Sequence, residues 1–245
     1  MERIFKIRCS AISKIMGSMG LTETQQLELD ELFKRVVDGT KPLTKNMEIK
    51  LNSLSNKSMA PELPQTAKTY LEEWYSNENE FTFSKYTEKG LIVEDELIDF
   101  AANVLGYGIA EKNKIRLEDD YITGECDVNL SDVVIDVKAP WNKKTFYDHV
   151  LNGLTKDYEA QLKGYCHLYK KPKGILFYGL MDTPADVNYD KEVIYSDMPD
   201  NQRWVAYTVN EDKEFINQVI ERVKLCRKYL VEHDLKIKNK IGRLN

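Results

Sequence analysis

The stretch GECDVNLSDVVIDVKAPW, residues 124–141, alternates apolar and charged residues with the period of two that β-strands show. It predicts a hairpin of two strands, 121–128 and 133–138, joined by a turn centred on Leu130 and Ser131. Polar positions of this hairpin hold Asp127, Asp136 and Lys138. The hairpin is therefore a candidate both for the core of the fold and for its functional site.

The predicted turn determines which side chains share a face of the hairpin. It pairs Asp127 with Val134 across the two strands. One face then carries Asp127, Val134, Asp136 and Lys138, and the other carries Val133, Ile135 and Val137. On the polar face Asp127 is a diagonal neighbour of Asp136, and Lys138 lies about 7 Å from Asp136. We expect the apolar face to pack into the core and the polar face to form a site.

The acids and the lysine suit hydrolytic chemistry. Two converging carboxylates, Asp127 and Asp136, stay ionised together when a cation lies between them. Oxygen ligands favour a hard ion such as Mg²⁺ or Mn²⁺, and Lys138 could hold or polarise the water that attacks a phosphodiester. The pattern D-x8-D-x-K is short, so an exposed edge hairpin with a local salt bridge between Asp136 and Lys138 remains an alternative.

The rest of the chain predicts an α/β protein with a central mixed β-sheet flanked by helices and with a helical N-terminal region. Helices are predicted at 10–19, from a cap at Thr22 or Thr24 to Gly39, weakly within 40–63, from Pro64 to about Asn77, and at about 87–105, 143–151, 156–169 and from Glu211 onward. Further strands are predicted at 114–118, 173–181 and 203–209. We expect one domain over 1–245, with a helical part at 1–85, a catalytic core at 86–210 and a C-terminal helix at 211–245.

A carboxylate interrupts the apolar stripe of the predicted helix 87–105. The stripe consists of Leu91, Leu97, Ile98, Ala101 and Leu105. Glu94 lies on the same face, one turn after Gly90. A buried carboxylate needs a cation, a donor or a metal, so Glu94 either belongs to a site or reaches the rim of the core.

Composition narrows the class of protein. The 245 residues are 42% apolar and 31% charged, as in ordinary globular proteins, and no stretch approaches the ~20 apolar residues of a membrane span. We expect a cytoplasmic protein, in the bacterial host cytoplasm if the gene is carried by a phage. The four cysteines are scattered without CxxC pairs, and the net charge of −5 gives no support to a general nucleic-acid binder.

Four blocks in this sequence together resemble a known family of nucleases. They are GLIVE (90–94), GECD (124–127), IDVKAPW (135–141) and AQLKGY (160–165). In order and approximate spacing they resemble the PD-(D/E)xK nucleases, specifically the lambda exonuclease and YqaJ-like viral recombinase family. The resemblance implies a restriction-endonuclease-like core. Two positions depart from the family pattern, since Cys126 replaces the proline and Asp136 stands where many relatives have glutamate.

The resemblance also implies a role for each residue of the site. Asp127 and Asp136 would be metal ligands together with the backbone carbonyl of Val137, and Glu94 would support the metal from its helix. Lys138 would orient the attacking water. Gln161 and Tyr165, four apart on one helical face, would line the catalytic cleft. The alternative for these two is an amphipathic stripe shared with Tyr158 and Leu168.

A further block, IRCSAISKIMG (7–17), resembles the family segment that binds a terminal 5′ phosphate. The resemblance assigns this role to Ser10 and to Arg8 or Arg3, with Ser13 beside them, because a helix N-terminus offers free N–H groups to a phosphate. Alternatively, Arg8 is solvated and Ser10 is an ordinary N-cap. The candidates for contacts with the DNA backbone are Lys143 and Lys144.

The implied function is a Mg²⁺-dependent (or Mn²⁺-dependent) exonuclease that degrades the 5′ strand of linear double-stranded DNA and leaves 3′ overhangs. Its implied partners are double-stranded DNA ends, a single-strand annealing protein used in phage recombination, and further copies of the chain in a ring of three or four. Two alternatives remain. One is a structure-specific or Cas4-like nuclease, and the other is a non-catalytic DNA-binding or assembly module with a vestigial site.

Overall fold

The computed structural model describes residues 3–17, 21–39, 42–59, 62–77 and 84–242. The chain separates into two compact units. The first contains Met1–Ser13 and Glu78–Lys224, and the second contains Lys14–Asn77 and Leu225–Asn245. The interpretation of residues 1–245 as one domain, with divisions near residues 85 and 210, stays a prediction.

The described residues form helices and strands close to the predicted positions. The α-helices are α1 (Ile12–Ile15), α2 (Glu23–Asp38), α3 (Lys45–Met59), α4 (Gln65–Ser76), α5 (Lys85–Val104), α6 (Lys143–Asn152), α7 (Lys156–Tyr169) and α8 (Lys213–Lys240). The strands are β1 (Ile7–Arg8), β2 (Leu117–Glu118), β3 (Ile122–Gly124), β4 (Val128–Asn129), β5 (Val133–Lys138), β6 (Lys173–Gly179) and β7 (Trp204–Asn210). The expected mixed α/β fold is confirmed.

The first unit is built on a mixed sheet with the strand order β4-β5-β6-β7. Strand β5 pairs in parallel with β6, whereas β4 and β7 run antiparallel to their neighbours. The strand that carries the acid–base pattern is therefore central, and Asp136 is only 2% exposed. The alternative of an exposed edge hairpin is wrong for β5, which has a partner strand on each side, although β4 lies at the edge of the sheet and the salt bridge between Asp136 and Lys138 is present.

The two faces of β5 meet different helices. Val133, Ile135 and Val137 belong to a core cluster that also includes the buried stripe of α5. On the opposite face, Asp136 receives a hydrogen bond from Gln161 of α7. The alternation read from the sequence therefore assigns the residues of β5 to the correct faces.

The hairpin turn is centred one residue later than predicted, which shifts the pairing of the two strands by two residues. The N–H of Leu130 donates to the carbonyl of Val133 at 2.9 Å, so the turn consists of Ser131 and Asp132. Asn129 pairs with Val134, and the predicted pairing of Asp127 with Val134 is wrong. Serine and aspartate favour turns, whereas Leu130 packs against the core. A shift of two residues keeps every side chain on its predicted face.

The N-terminal segment of the first unit completes a second, smaller sheet. β1 pairs in parallel with β3, and β2 pairs antiparallel with β3. A 3₁₀ turn, Cys9–Ala11, leads into α1, which ends at Ile15, so the predicted helix 10–19 is much shorter than expected. Its predicted end, at 18–19, lies outside the described residues.

Gly164 on α7 is the point where the N-terminal segment and the helix approach most closely. A Cβ at this position would lie 2.7 Å from Cδ1 of Ile12 and 2.9 Å from Sγ of Cys9. Both neighbours are fully or almost fully buried, so neither has room to move. The close approach depends on the absence of a side chain at position 164.

We expect Gly164→Ala to lower the free energy of unfolding by about 1–3 kcal/mol through overpacking. Gly90→Ala is a matched control, because Gly90 is also helical and a Cβ there would meet nothing within 4 Å. It should raise stability by up to about 1 kcal/mol through helix propensity. Urea unfolding followed by circular dichroism measures both variants, and equal midpoints would contradict the packing of Cys9 and Ile12 on α7.

The second unit is helical. Thr22 caps α2 in a capping box with Gln25, and Gly39 ends the helix with a φ of 58°. Its core consists of Leu29, Leu32 and Leu54. The sequence spacing predicts one apolar stripe on α2 that consists of Leu29, Leu32, Phe33, Val36 and Val37. This stripe is too wide, because Phe33, Val36 and Val37 are exposed. The weak helix predicted within 40–63 is α3.

In the described parts of the chain, no helix is apolar and long enough to span a bilayer.

Candidate active site

The two predicted carboxylates face each other across β4 and β5. The observed pairing, continued by one position beyond β4, places Asp127 opposite Asp136. Asp127 Oδ2 accepts a hydrogen bond from the backbone N–H of Val137 at 2.7 Å. Since Asp136 is almost completely buried, the two acids converge at the floor of the site rather than on an open surface.

Lys138 provides the positive charge beside these acids. Its Nζ lies 2.5 Å from Asp136 Oδ2 and 3.2 Å from the carbonyl oxygen of Val137. It also lies 5.7 Å from the ring centre of Tyr158. Burial lowers the pKa of Lys138, but the negative charges of Asp136 and Asp127 outweigh it and hold this pKa well above its usual range. The ammonium therefore keeps its proton at neutral pH.

Burial and the neighbouring charge of Asp136 raise the pKa of Asp127 to about 7. Lys138 and the N–H of Val137 oppose this shift, and Glu94 adds to it. Without a further cation, Asp127 is therefore close to half protonated at neutral pH. A site that keeps both carboxylates ionised needs additional positive charge.

Gln161 and Tyr165 of α7 extend the network away from the cleft. Gln161 Nε2 donates to Asp136 Oδ1 at 3.0 Å and to the hydroxyl of Tyr165 at 3.0 Å. Both side chains are buried, at 7% and 5% exposure. The interpretation of this pair as an ordinary amphipathic stripe does not account for the direct bond to Asp136.

Glu94 lies on α5, with 20% of its side chain exposed, and it lines the same cleft as Asp127 and Lys138. Its carboxylate forms an ion pair with Lys112, a residue that the sequence did not single out. The helix stripe also differs from the prediction, since Leu91 is exposed and Val93 is buried in its place. Relative to the prediction, the helix is rotated about its axis, and Glu94 lies at the rim of the site.

These residues surround a cleft of about 610 Å³. Asp127, Val137 and Lys138 lie on one wall, and α5 contributes a second wall with Glu94. Aromatic side chains make up much of the remainder: Tyr86, Trp141, His149, Tyr158 and Tyr178. The cleft therefore combines an acid–base centre with stacking surfaces.

The donor set fits a hard divalent ion. Across the described residues, no three His, Cys, Asp or Glu side chains gather closely enough to hold a metal by themselves. Mg²⁺ does not need such a cage, because it binds through one or two carboxylates and fills its shell with waters and substrate phosphates. Asp136 Oδ2 is buried, and its partner is the ammonium of Lys138 at 2.5 Å. Such an oxygen is suited to a cation.

The predicted phosphate-binding residues lie outside the lining of this cleft. Arg8 is exposed and occupies the N-cap position that was assigned to Ser10, which lies inside the 3₁₀ turn. Arg3 is exposed and Ser13 is partly buried. The serine therefore does not open the helix, and the predicted geometry of a helix N-terminus at Ser10 is wrong.

The other two candidates for DNA contacts begin α6, next to the cleft. Both Lys143 and Lys144 are exposed. Lys144 pairs with Asp148 at 2.9 Å, whereas Lys143 Nζ lies 5.9 Å from the ring centre of Tyr195. The helix itself is capped by Asn142, which accepts a hydrogen bond from the N–H of Thr145 at 3.0 Å.

All four cysteines are free and buried. Burial raises the pKa of Cys126 to about 12 and that of Cys166 to about 11. An iron–sulfur cluster of the Cas4-like alternative would need several cysteines at one place, and no such group occurs in the described ranges. The cysteines therefore act as small apolar core residues.

Sequence reasoning missed Lys89, a completely buried lysine on α5. Its Nζ donates to three backbone carbonyls, those of Pro140 at 3.0 Å, Trp141 at 3.1 Å and Met181 at 2.8 Å. All three donors of the ammonium are thus used. The sequence did contain a signal, because Lys89 stands four residues before Val93 on the buried face of the helix.

No protein-family model matches the sequence, and no curated protein matches it. Several solved structures share its architecture. A phage-related exonuclease from Haemophilus somnus 129PT matches with a TM-score of 0.69 and 24% identity, over 96% of this chain and 97% of that chain. An alkaline exonuclease from Laribacter hongkongensis matches with a TM-score of 0.55 and 13% identity, over 99% of this chain and 96% of that chain.

The same Laribacter enzyme in complex with dAMP matches with a TM-score of 0.54 and 13% identity, over 98% of this chain and 95% of that chain. The matches run over nearly the whole length of each chain, so they compare entire folds rather than one motif. The fold that the sequence resemblance implies is thus confirmed, and this chain has the fold shared by a phage-related exonuclease and an alkaline exonuclease.

Proposed function

We propose that this protein is a Mg²⁺-dependent (or Mn²⁺-dependent) deoxyribonuclease that removes nucleotides from the 5′ strand of linear double-stranded DNA and leaves 3′ overhangs. One observation carries the proposal. Asp127 and Lys138 line one cleft, and the Lys138 ammonium is the partner of a buried oxygen of Asp136. The shared fold with exonucleases supports the same reaction class.

Asp127, Asp136 and the carbonyl of Val137 are the groups that would hold the metal, with Glu94 nearby on α5. A bound divalent ion would supply Lewis-acid activation of the phosphodiester and of the water that attacks it. The N–H of Val137 fixes the carboxylate of Asp127 by its hydrogen bond to Oδ2. The chain thus presents its oxygen ligands in a defined orientation before substrate arrives.

Lys138 acts as a charged donor in this proposal. The charges of Asp136 and Asp127 raise the pKa of Lys138, so that its side chain is a charged ammonium in the metal-free site. It orients the attacking water and stabilises the negative charge that develops on the phosphate oxygens. Its position 2.5 Å from Asp136 keeps it at the floor of the cleft.

Gln161 is a positioning residue. Its bond to Asp136 Oδ1 fixes the rotation of the carboxylate, so that Oδ2 is the oxygen beside Lys138. Tyr165 in turn accepts a bond from the same amide nitrogen. Gln161 thus orients the proposed metal ligand Asp136 without touching the metal, as residues that hydrogen-bond to metal ligands commonly do.

We propose that the overhangs serve phage-type recombination with a single-strand annealing protein as partner, and that several copies form a ring around DNA. The Laribacter enzyme binds dAMP. We propose a deoxynucleoside monophosphate as the product here as well.

Linear duplex DNA labelled at the 5′ end of one strand tests the proposal. With Mg²⁺, we expect early release of labelled mononucleotides, persistence of a label at the 3′ end of the same strand, and no activity after chelation. Closed circular DNA of the same sequence is the control and should stay intact. Earlier release of the 3′ label, or cutting of the circle, would overturn the proposed polarity or the exonuclease class.

A further inference from the structure

Three aromatic rings surround a single lysine beside the catalytic cleft. Lys85 Nζ lies 4.9 Å from the ring centre of Trp141, 5.4 Å from that of Tyr86 and 5.5 Å from that of Tyr189. The rings of Tyr86 and Trp141 meet edge to face, with centres 5.3 Å apart and an angle of 82°. We call these four residues the aromatic platform.

The platform is not part of the hydrophobic core. Tyr86 is 59% exposed and Tyr189 is 81% exposed. Tyr86 and Trp141 also line the cleft that contains Asp127 and Lys138. Exposed aromatic groups gathered at the edge of a cleft mark a surface for binding rather than for packing.

The backbone around the platform is held firmly. The backbone carbonyls of Pro140 and Trp141 accept hydrogen bonds from the buried ammonium of Lys89. These bonds fix the backbone that carries the Trp141 indole. Tyr189 and the next residue, Asp190, have φ values of 53° and 60°, a conformation that is rare for residues other than glycine. Such strain is typical of segments that present a side chain for function.

Charge adds a second requirement on the ligand. In the described part of the chain, Lys85 contacts aromatic rings rather than a carboxylate. Lys143, also exposed, begins the helix that follows Trp141. A ligand for this surface combines a flat ring with a nearby negative charge. A nucleotide of an unpaired DNA strand has both, because its base stacks on aromatic rings and its phosphate pairs with lysine.

We propose that the aromatic platform binds one unpaired nucleotide of the DNA strand beside the catalytic centre, with the base stacked on Tyr86, its edge against Trp141 and its phosphate at Lys85. This subsite rests on the proposed function, since it assumes that DNA enters the cleft. In this subsite the DNA strand is recognised by base stacking. Every base can stack on an aromatic ring, so we expect no sequence preference.

The test measures the affinity for a fluorescent oligothymidylate by anisotropy, with Ca²⁺ in place of Mg²⁺. We expect Tyr86→Ala to weaken binding about 10-fold, a size typical of losing one base–aromatic stack. Tyr86→Phe keeps the ring and should bind as the wild type does. Tyr147→Ala is the matched control, because Tyr147 is 49% exposed on α6 but does not line the cleft.

Oligothymidylates with a single abasic position identify the lost contact. The wild type should lose about 10-fold in affinity when one particular base is missing, and Tyr86→Ala should be insensitive to the same change. A wild type that tolerates every abasic position, or a Tyr86→Ala variant with unchanged affinity, would overturn the platform while leaving the nuclease intact. A wild type that neither binds nor cuts DNA would instead overturn the proposed function.

Discussion

Lys138→Ala is expected to lower the rate of DNA hydrolysis by at least about 10²–10³-fold, the size found when one preorganised donor to a developing charge is removed. Binding of duplex ends should stay close to that of the wild type, because the platform and the exposed lysines remain. The loss should therefore appear in kcat rather than in KM. Steady-state hydrolysis of linear duplex together with equilibrium binding measures both quantities.

The physical reason is the contact between Lys138 and Asp136 at 2.5 Å, which keeps the ammonium beside the acids rather than in solvent. Lys213→Ala is a suitable control, because this lysine is 83% exposed and lies 3.8 Å from Glu211. It should retain full activity. A Lys138→Ala enzyme with wild-type kcat would show that the phosphodiester is cleaved elsewhere on the protein.

Asp127→Asn is expected to separate stability from activity. Hydrolysis should fall by roughly 10³-fold, since Lewis-acid stabilisation is worth several kcal/mol and depends on an ionised ligand. The metal-free protein should nevertheless become more stable at pH 8, by on the order of a few kcal/mol. The asparagine oxygen can still accept the N–H of Val137 but no longer repels Asp136.

The gain in stability depends on pH in a defined direction. The folded-state pKa of Asp127 is raised to about 7 from its usual 3.8. Between these two pH values the folded protein binds more protons than the unfolded protein. The contribution of Asp127 to the stability of the folded state is therefore fully present below pH 4 and is lost as the pH rises through 7. The variant and the wild type should therefore differ little at pH 4 and most at pH 8.

Thermal unfolding in a chelator, at several pH values, measures this difference. Asp148→Asn is the control, because Asp148 is an exposed acid whose side chain pairs with Lys144 on the surface of α6. Its melting temperature should follow that of the wild type at every pH. If Asp127→Asn were less stable than the wild type at pH 8, the two carboxylates would not be repelling each other in the metal-free site.

Periodicity predicted the elements that surround the site, because their apolar residues repeat at the spacing of the structure that buries them. Strand β5 and helix α7 have their predicted bounds. The faces of β5 are correct even though the turn was misplaced, since a shift of two residues preserves alternation. Asp127, Asp136 and Lys138 were therefore brought together by sequence reasoning despite the wrong register.

Contacts between distant segments could not be predicted in the same way. The partner of Glu94 is Lys112, which lies in an irregular stretch where no repeating pattern assigns a direction to a side chain. Lys89 was missed because the predicted stripe of α5 began at Leu91 instead of Val93, although its members Leu97, Ile98 and Ala101 are buried. The wrong assignment of Ser10 arose because a 3₁₀ turn precedes α1.

The hydrogen bonds of Lys89 determine how salt should act on this protein. Dissolved ions screen exposed charges over about 10 Å at 0.1 M, but they reach a fully enclosed ammonium very little. The Lys89 ammonium donates hydrogen bonds to the backbone carbonyls of Pro140, Trp141 and Met181 from inside the protein. The cleft wall should therefore keep its shape at ionic strengths at which DNA dissociates from the exposed lysines. Inhibition by salt would then be a loss of encounter with the substrate, fully reversed on dilution.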